Sequence, residues 1–149
     1  MNGATKNSIL IVDDEVSNLM FLTRILGSDY RLYTAKDGQE ALDKTRELRP
    51  DLILLDIVLP GISGYEVLGK LKQQPETKEI PVVVITGIES PEDLEYTLEL
   101  GAADYITKPF GERTVKQRVL NQMIIVNLMR ILKTPTTSGS QSPNNQSPT

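Results

Sequence analysis

Three runs of four branched aliphatic residues constrain this chain more than any other feature: Ile9-Leu10-Ile11-Val12, Leu52-Ile53-Leu54-Leu55 and Val82-Val83-Val84-Ile85. Short runs with no polar alternation suit strands buried on both faces of a parallel sheet. Each run stops at a polar group. Asp13 and Asp14 follow the first, Asp56 the second and Thr86 the third, while Ala103-Asp104-Tyr105-Ile106 forms a weaker fourth run just before Lys108. In an open parallel sheet the carboxyl ends of the strands share one edge, where ligands bind. These four segments therefore deliver three carboxylates, a hydroxyl and an ammonium to one crevice. That combination suits a phosphate and a metal ion.

Helical patterns separate the runs. Val16, Leu19, Met20, Ile25 and Leu26 fall at helical spacing, with Gly27 placed to close the helix in a left-handed cap. Asp37-Gly38-Gln39-Glu40 is a capping signal for a second helix ending near Leu48. Ser63-Gly64-Tyr65-Glu66 repeats that signal before Val67, Leu68 and Leu71, and Ser90-Pro91-Glu92-Asp93 repeats it with proline at the first helical position. With residues 31–34 as a short second strand, strand and helix alternate five times. The pattern predicts an α/β, doubly wound parallel sheet of five strands with right-handed crossovers and five helices.

The fifth helix, over 112–133, is longer than one sheet layer needs. Val115, Val119, Met123 and Val126 form a core stripe, but Ile124, Ile125, Leu128, Met129, Ile131 and Leu132 spread around the remaining circumference. A helix apolar on more than one face wants a second partner. Residues 134–149 contain no charge and no large apolar side chain, the composition of a flexible linker or tail.

Composition removes several classes of function. The net charge of -4 offers no footprint for nucleic acid or an anionic membrane. No apolar run approaches the roughly 20 residues of a membrane span, and residues 1–7 lack a signal-peptide core, so the expected location is cytoplasmic. With no cysteine there is neither a disulfide framework nor thiol chemistry. The absence of histidine removes the commonest general base and any phosphohistidine relay within the chain.

Four segments together resemble the receiver domain of two-component response regulators: Ile11-Val12-Asp13-Asp14-Glu15, Leu54-Leu55-Asp56-Ile57-Val58-Leu59-Pro60-Gly61, Val84-Ile85-Thr86-Gly87 and Gly101-Ala102-Ala103-Asp104-Tyr105-Ile106-Thr107-Lys108-Pro109-Phe110. The resemblance covers residues 8–120 in order and spacing. It implies a flavodoxin-like sheet of order 2-1-3-4-5. The implied organisation is a flexible N-terminus over 1–7, a receiver over 8–120, a helical extension over 121–133, and a linker or tail over 134–149.

The resemblance also implies roles. Asp56 is the phospho-acceptor, receiving its phosphoryl group from a partner histidine kinase or phosphotransfer protein. Asp14 holds Mg²⁺ directly and Asp13 through water, beside Asp56 and the backbone carbonyl of Val58; Mg²⁺ keeps several waters and needs only a few carboxylates. Thr86 and Lys108 each take a phosphoryl oxygen, and the Lys108-Pro109 bond is cis. Tyr105 is the switch residue, and residues 91–133 carry the output surface. Two departures stand out: Gly87 where alanine is usual, and Val58 where a polar side chain can tune hydrolysis. A haloacid-dehalogenase-like phosphatase would need a second aspartate at Val58, and a flavin carrier would meet repulsion from Asp13 and Asp14. A receiver that is never phosphorylated finds no support, because every acidic and basic position is filled. The long helix suggests a homodimer or a connection to an output domain.

Overall fold

A computed structural model describes residues 6–87 and 90–133; the expectations for residues 1–5 and 134–149 lie outside the described residues. The elements run β1 (Ser8–Val12), α1 (Val16–Leu26), β2 (Arg31–Ala35), α2 (Gly38–Leu48), β3 (Leu52–Asp56), α3 (Gly64–Gln73), β4 (Val82–Thr86), α4 (Pro91–Glu99), β5 (Asp104–Thr107) and α5 (Glu112–Lys133). The strands form one parallel sheet in the order β2-β1-β3-β4-β5. Every residue of β1, β3 and β4 is buried, as uninterrupted aliphatic runs require.

Strand alternation divides the core into two layers. On one face Ile9, Ile11, Leu52, Leu54, Val83 and Ile85 pack against Leu19, Leu22 and Leu26 of α1 and Val115, Val119 and Met123 of α5. On the other, Leu10, Val12, Ile53, Leu55, Val82 and Val84 meet Leu42 of α2 and Val67, Leu68 and Leu71 of α3. α4 is held more loosely. Thr97 is its one buried residue, and Tyr96 meets Tyr65 of α3 edge-on with ring centroids 5.4 Å apart.

The expected caps are present. Asp37 accepts from the Glu40 amide at 2.8 Å, Ser63 from the Glu66 amide at 3.2 Å and Ser90 from the Asp93 amide at 3.2 Å. Gly27, however, closes α1 in a right-handed conformation (φ -68°), its amide bonding the Thr23 carbonyl; the left-handed cap falls instead on Arg49 after α2 (φ 49°). Val16 and Met20 are exposed, and Leu22 takes the buried place on α1. The buried stripe of that helix is rotated from the one the spacing suggested, because Leu19, Leu22 and Leu26 point straight at the sheet.

Candidate phosphate and metal site

The geometry of the crevice begins with the strand ends. Asp13 leaves β1 fully buried, and its amide donates to the Ala35 carbonyl at 3.0 Å, which keeps the backbone in register for one residue beyond the strand. Its carboxylate then turns back on the start of α1. Oδ1 accepts from the Glu15 amide at 2.9 Å and Oδ2 from Asn18 Nδ2 at 3.1 Å. Asp14, next in the chain, is exposed. Asp56 ends β3 with 2% of its surface exposed. Its Oδ1 accepts from the Val58 amide at 3.0 Å, and its Oδ2 receives the Lys108 ammonium at 3.0 Å.

One carboxylate oxygen from each of Asp13, Asp14 and Asp56 lies within 4.8 Å of the others. Three carboxylates this close repel one another, and Lys108 is the only cation bonded to the group among the described residues. Asp13 registers the conflict. Burial pushes its carboxyl above the usual range; the Glu15 amide pulls it down, and the facing Asp56 carboxylate pushes it further up. An all-oxygen donor set with surplus negative charge is what a hard divalent cation requires, so the residues suit a metal ion.

Lys108 and Thr86 are brought to the same place by the backbone. The Lys108 amide donates to the Thr86 carbonyl at 2.8 Å, just beyond the β4–β5 pairing of Thr86 with Thr107. The Lys108-Pro109 peptide is cis, and the ammonium turns in toward Asp56. Thr86 is 2% exposed. Tyr105 lies half-buried on β5 against the α2–α3 layer. Val58 projects its side chain outward with 70% exposure, so its backbone rather than its side chain faces the carboxylates.

Three contributors escaped the sequence reading. Asn18 holds Asp13 and also Glu15 Oε1 at 2.9 Å; its signal was its place one helical turn beyond Asp14. Gly64 lets α3 approach the acceptor strand, since a Cβ there would stand 2.5 Å from the Asp56 carbonyl and from Ile57 Cα. The third is a cleft of about 470 Å³ beside Lys108, lined by Glu15, Asn18, Phe21, Pro109 and Phe110. Phe21 and Phe110 meet there at 5.8 Å between ring centroids. By contrast a Cβ at Gly87 meets nothing within 4 Å among the described residues, so space does not require glycine there.

Comparison with known proteins agrees with this geometry. The sequence profile described as the response regulator receiver domain matches residues 9–120. The alkaline phosphatase synthesis transcriptional regulatory protein PhoP of Bacillus subtilis is 46% identical over 112 residues, covering 74% of this chain and 46% of PhoP. Response regulator PleD of Caulobacter vibrioides is 42% identical over 112 residues, covering 74% of this chain and 25% of PleD. The chain thus spans less than half the length of either relative. Among solved structures, chemotaxis protein CheY4 of Vibrio cholerae superposes with a TM-score of 0.74 at 30% identity, covering 78% of this chain and 98% of that one.

Proposed function

The chain belongs to the response regulator receiver domain family, and from that premise we propose that Asp56 is its phospho-acceptor and that phosphorylation there switches the α4–β5–α5 surface. The observation that carries this reading is the state of the Asp56 carboxylate: buried at a strand end, held by the Val58 amide and Lys108, and facing two further carboxylates. The donor is a histidine kinase or a phosphotransfer protein, which docks where the cleft beside Lys108 opens. A carboxylate oxygen of Asp56 attacks the phosphorus in line, the phosphorus–nitrogen bond of the donor phosphohistidine breaks, and the electron pair leaves with the imidazole. The product is an acyl phosphate.

Phosphoryl transfer is mainly positioning and charge neutralisation. The Val58 amide fixes the carboxylate's direction, and Lys108 is placed to pass from Asp56 to a phosphoryl oxygen. The Thr86 hydroxyl donates to another. Mg²⁺ would be held by Asp14, Asp56 and the Val58 carbonyl, with Asp13 acting through water, and would neutralise the phosphoryl oxygens. Asp13 suits that outer role because it is fully buried and held back against the start of α1 by the Glu15 amide and Asn18, whereas Asp14 beside it is exposed.

Movement of Thr86 toward the phosphoryl group opens space for Tyr105, and the sparsely packed α4 is the element best able to respond. The domain acts as a switch in the cytoplasm and not as a turnover enzyme: Val58, two residues beyond Asp56, offers no general acid. The boundaries that follow are a receiver over 8–120 and a helical extension over 121–133. The outer face of that extension takes a second copy of the chain or the start of an output module. Beryllofluoride titration with Mg²⁺ tests the switch. Tyrosine fluorescence should change saturably in the wild type and stay constant in Asp56→Asn; an equal change in both refutes it.

A further inference from the structure

α1 begins differently from the three helices that follow it. At the start of α2, α3 and α4 a capping Asp37, Ser63 or Ser90 accepts from the amide three residues on, and the residue there is acidic: Glu40, Glu66 and Asp93. α1 is capped by Glu15, whose side chain makes no capping bond, and its first turn holds no acid. The third helical position is Asn18. An acid in that place would complement the helix dipole, and asparagine is a poor helix former, so the helix itself does not call for this residue.

The side-chain amide of Asn18 turns back to the crevice instead. Its nitrogen stands 3.1 Å from Asp13 Oδ2 and 2.9 Å from Glu15 Oε1. Both partners are carboxylate oxygens and an asparagine nitrogen carries two hydrogens, so each carboxylate takes one. An acid at this position would face both of them as a further negative charge. Asp13 is fully buried, and its other oxygen accepts from the Glu15 amide at 2.9 Å. The two donors, from different directions, fix the rotation of the Asp13 carboxylate. Glu15 is exposed on a longer side chain, and the second Asn18 hydrogen ties it down beside the group formed by Asp13, Asp14 and Asp56.

We propose that Asn18 is a positioning residue that sets which divalent cation the carboxylate group prefers, favouring Mg²⁺ over the larger Ca²⁺. The proposal rests on the reading of this group as a Mg²⁺ site and concerns its selectivity. Mg²⁺ demands near-ideal octahedral geometry and keeps several waters, whereas Ca²⁺ accepts six to eight oxygens in a flexible arrangement. A rigid Asp13 therefore serves the smaller ion. A tethered Glu15 is kept from joining as a fourth carboxylate, the addition that a larger ion accommodates best. Removing a group that orients a metal-binding side chain lowers affinity by about 10–100-fold. The Glu15 amide continues to hold Asp13 when Asn18 is replaced, so the expected loss for Mg²⁺ lies at the lower end, about tenfold. Ca²⁺, which tolerates a mobile ligand, should lose less than about threefold.

Calorimetric titration of the unphosphorylated full chain with MgCl₂ and with CaCl₂ tests this without calling on phosphoryl transfer. The readout is the ratio of the two affinities. In Asn18→Leu, which lacks both hydrogens, the preference for Mg²⁺ should fall at least about threefold. Loss of folded protein alters the number of sites and not this ratio. Asn18→Asp keeps the shape and suits the helix end, so it provides a folded variant if Asn18→Leu does not fold. Its added charge attracts both cations and largely cancels in the ratio, which should again fall. A ratio unchanged or raised in a folded variant overturns the proposal, because a residue that only stabilises the fold leaves the preference where it was. Mg²⁺ binding by the wild type with such an unchanged ratio removes the role of Asn18 alone; no Mg²⁺ binding by the wild type removes the metal reading with it.

Discussion

Asp51, at the opposite end of the sheet from the phosphate site, is where a single substitution should be most revealing about how α5 is held. It lies just before β3 with a side chain 10% exposed, and one of its oxygens accepts from the Ser8 amide at 2.7 Å and from Asn7 at 3.3 Å. The other receives the Arg130 guanidinium. Burial pushes the Asp51 carboxyl up, but the Ser8 amide, Arg130 and Asn7 together bring it below the usual carboxylate range. Asp51→Asn preserves shape and replaces one acceptor with a donor that faces other donors. A hydrogen bond to a buried charge contributes about 1.5–3 kcal/mol, so the Ser8 contact should cost roughly 1.5–2 kcal/mol. Arg130 is 58% exposed, and its pairing adds at most about 0.5 kcal/mol after screening.

The expected loss is therefore about 2 kcal/mol, a fall in Tm of roughly 4–8 °C for a domain of this size. Urea unfolding at neutral pH should show it, with Arg130→Gln losing less than about 1 kcal/mol. The pH dependence has a definite sign. A carboxyl with a depressed folded pKa contributes stability above its unfolded pKa of about 3.9, and that contribution fades as pH falls through the lower folded value. The gap between wild type and Asp51→Asn should thus be constant above about pH 5 and close below about pH 3.9. A neutral-pH loss under about 0.5 kcal/mol, or a gap that widens on acidification, would refute the reasoning.

Three other outcomes follow from the crevice. Asp14→Ala should weaken Mg²⁺ binding more than Asp13→Ala, measured by calorimetry or fluorescence quenching, because Asp14 is exposed at the crevice while Asp13 is fully buried and held against the start of α1; the reverse order would exchange their roles. Thr86→Ala should accept a phosphoryl group at Asp56 but lose the tyrosine response to beryllofluoride, and an undiminished response would remove Thr86 from the relay. Gly64→Ala should destabilise by about 3 kcal/mol in urea unfolding, since the backbone of Asp56 and Ile57 stands where the methyl group must go; a change below about 1 kcal/mol would mean that α3 shifts away freely.

Much of the fold was readable because its signals are local. β1, β3 and β4 are uninterrupted aliphatic runs, and α2, α3 and α4 announce themselves by Asp37, Ser63 and Ser90. The site residues were readable for a related reason: a parallel sheet gathers its strand ends on one edge, so Asp13, Asp56, Thr86 and Lys108 needed no knowledge of tertiary contacts to be placed together. What escaped depends on partners far apart in the chain. Asn7 and Asn127 are 120 residues apart and Asp51 and Arg130 are 79 apart, and no spacing rule connects them. The rotation of α1 escaped for a different reason. Val16 and Met20 share helical spacing with Leu19 and Ile25, and only the position of the sheet decides which aliphatic positions are buried.

The central claim is that Asp56 accepts a phosphoryl group in a metal-dependent reaction supported by Lys108. Intact mass measured after incubation with acetyl phosphate, followed by reductive trapping and peptide mapping, tests it most directly. The account expects one added phosphoryl group in the presence of Mg²⁺, located on Asp56, and none after chelation or in Asp56→Asn. A phosphoryl group mapped to any other residue, or one acquired equally with and without Mg²⁺, would contradict it.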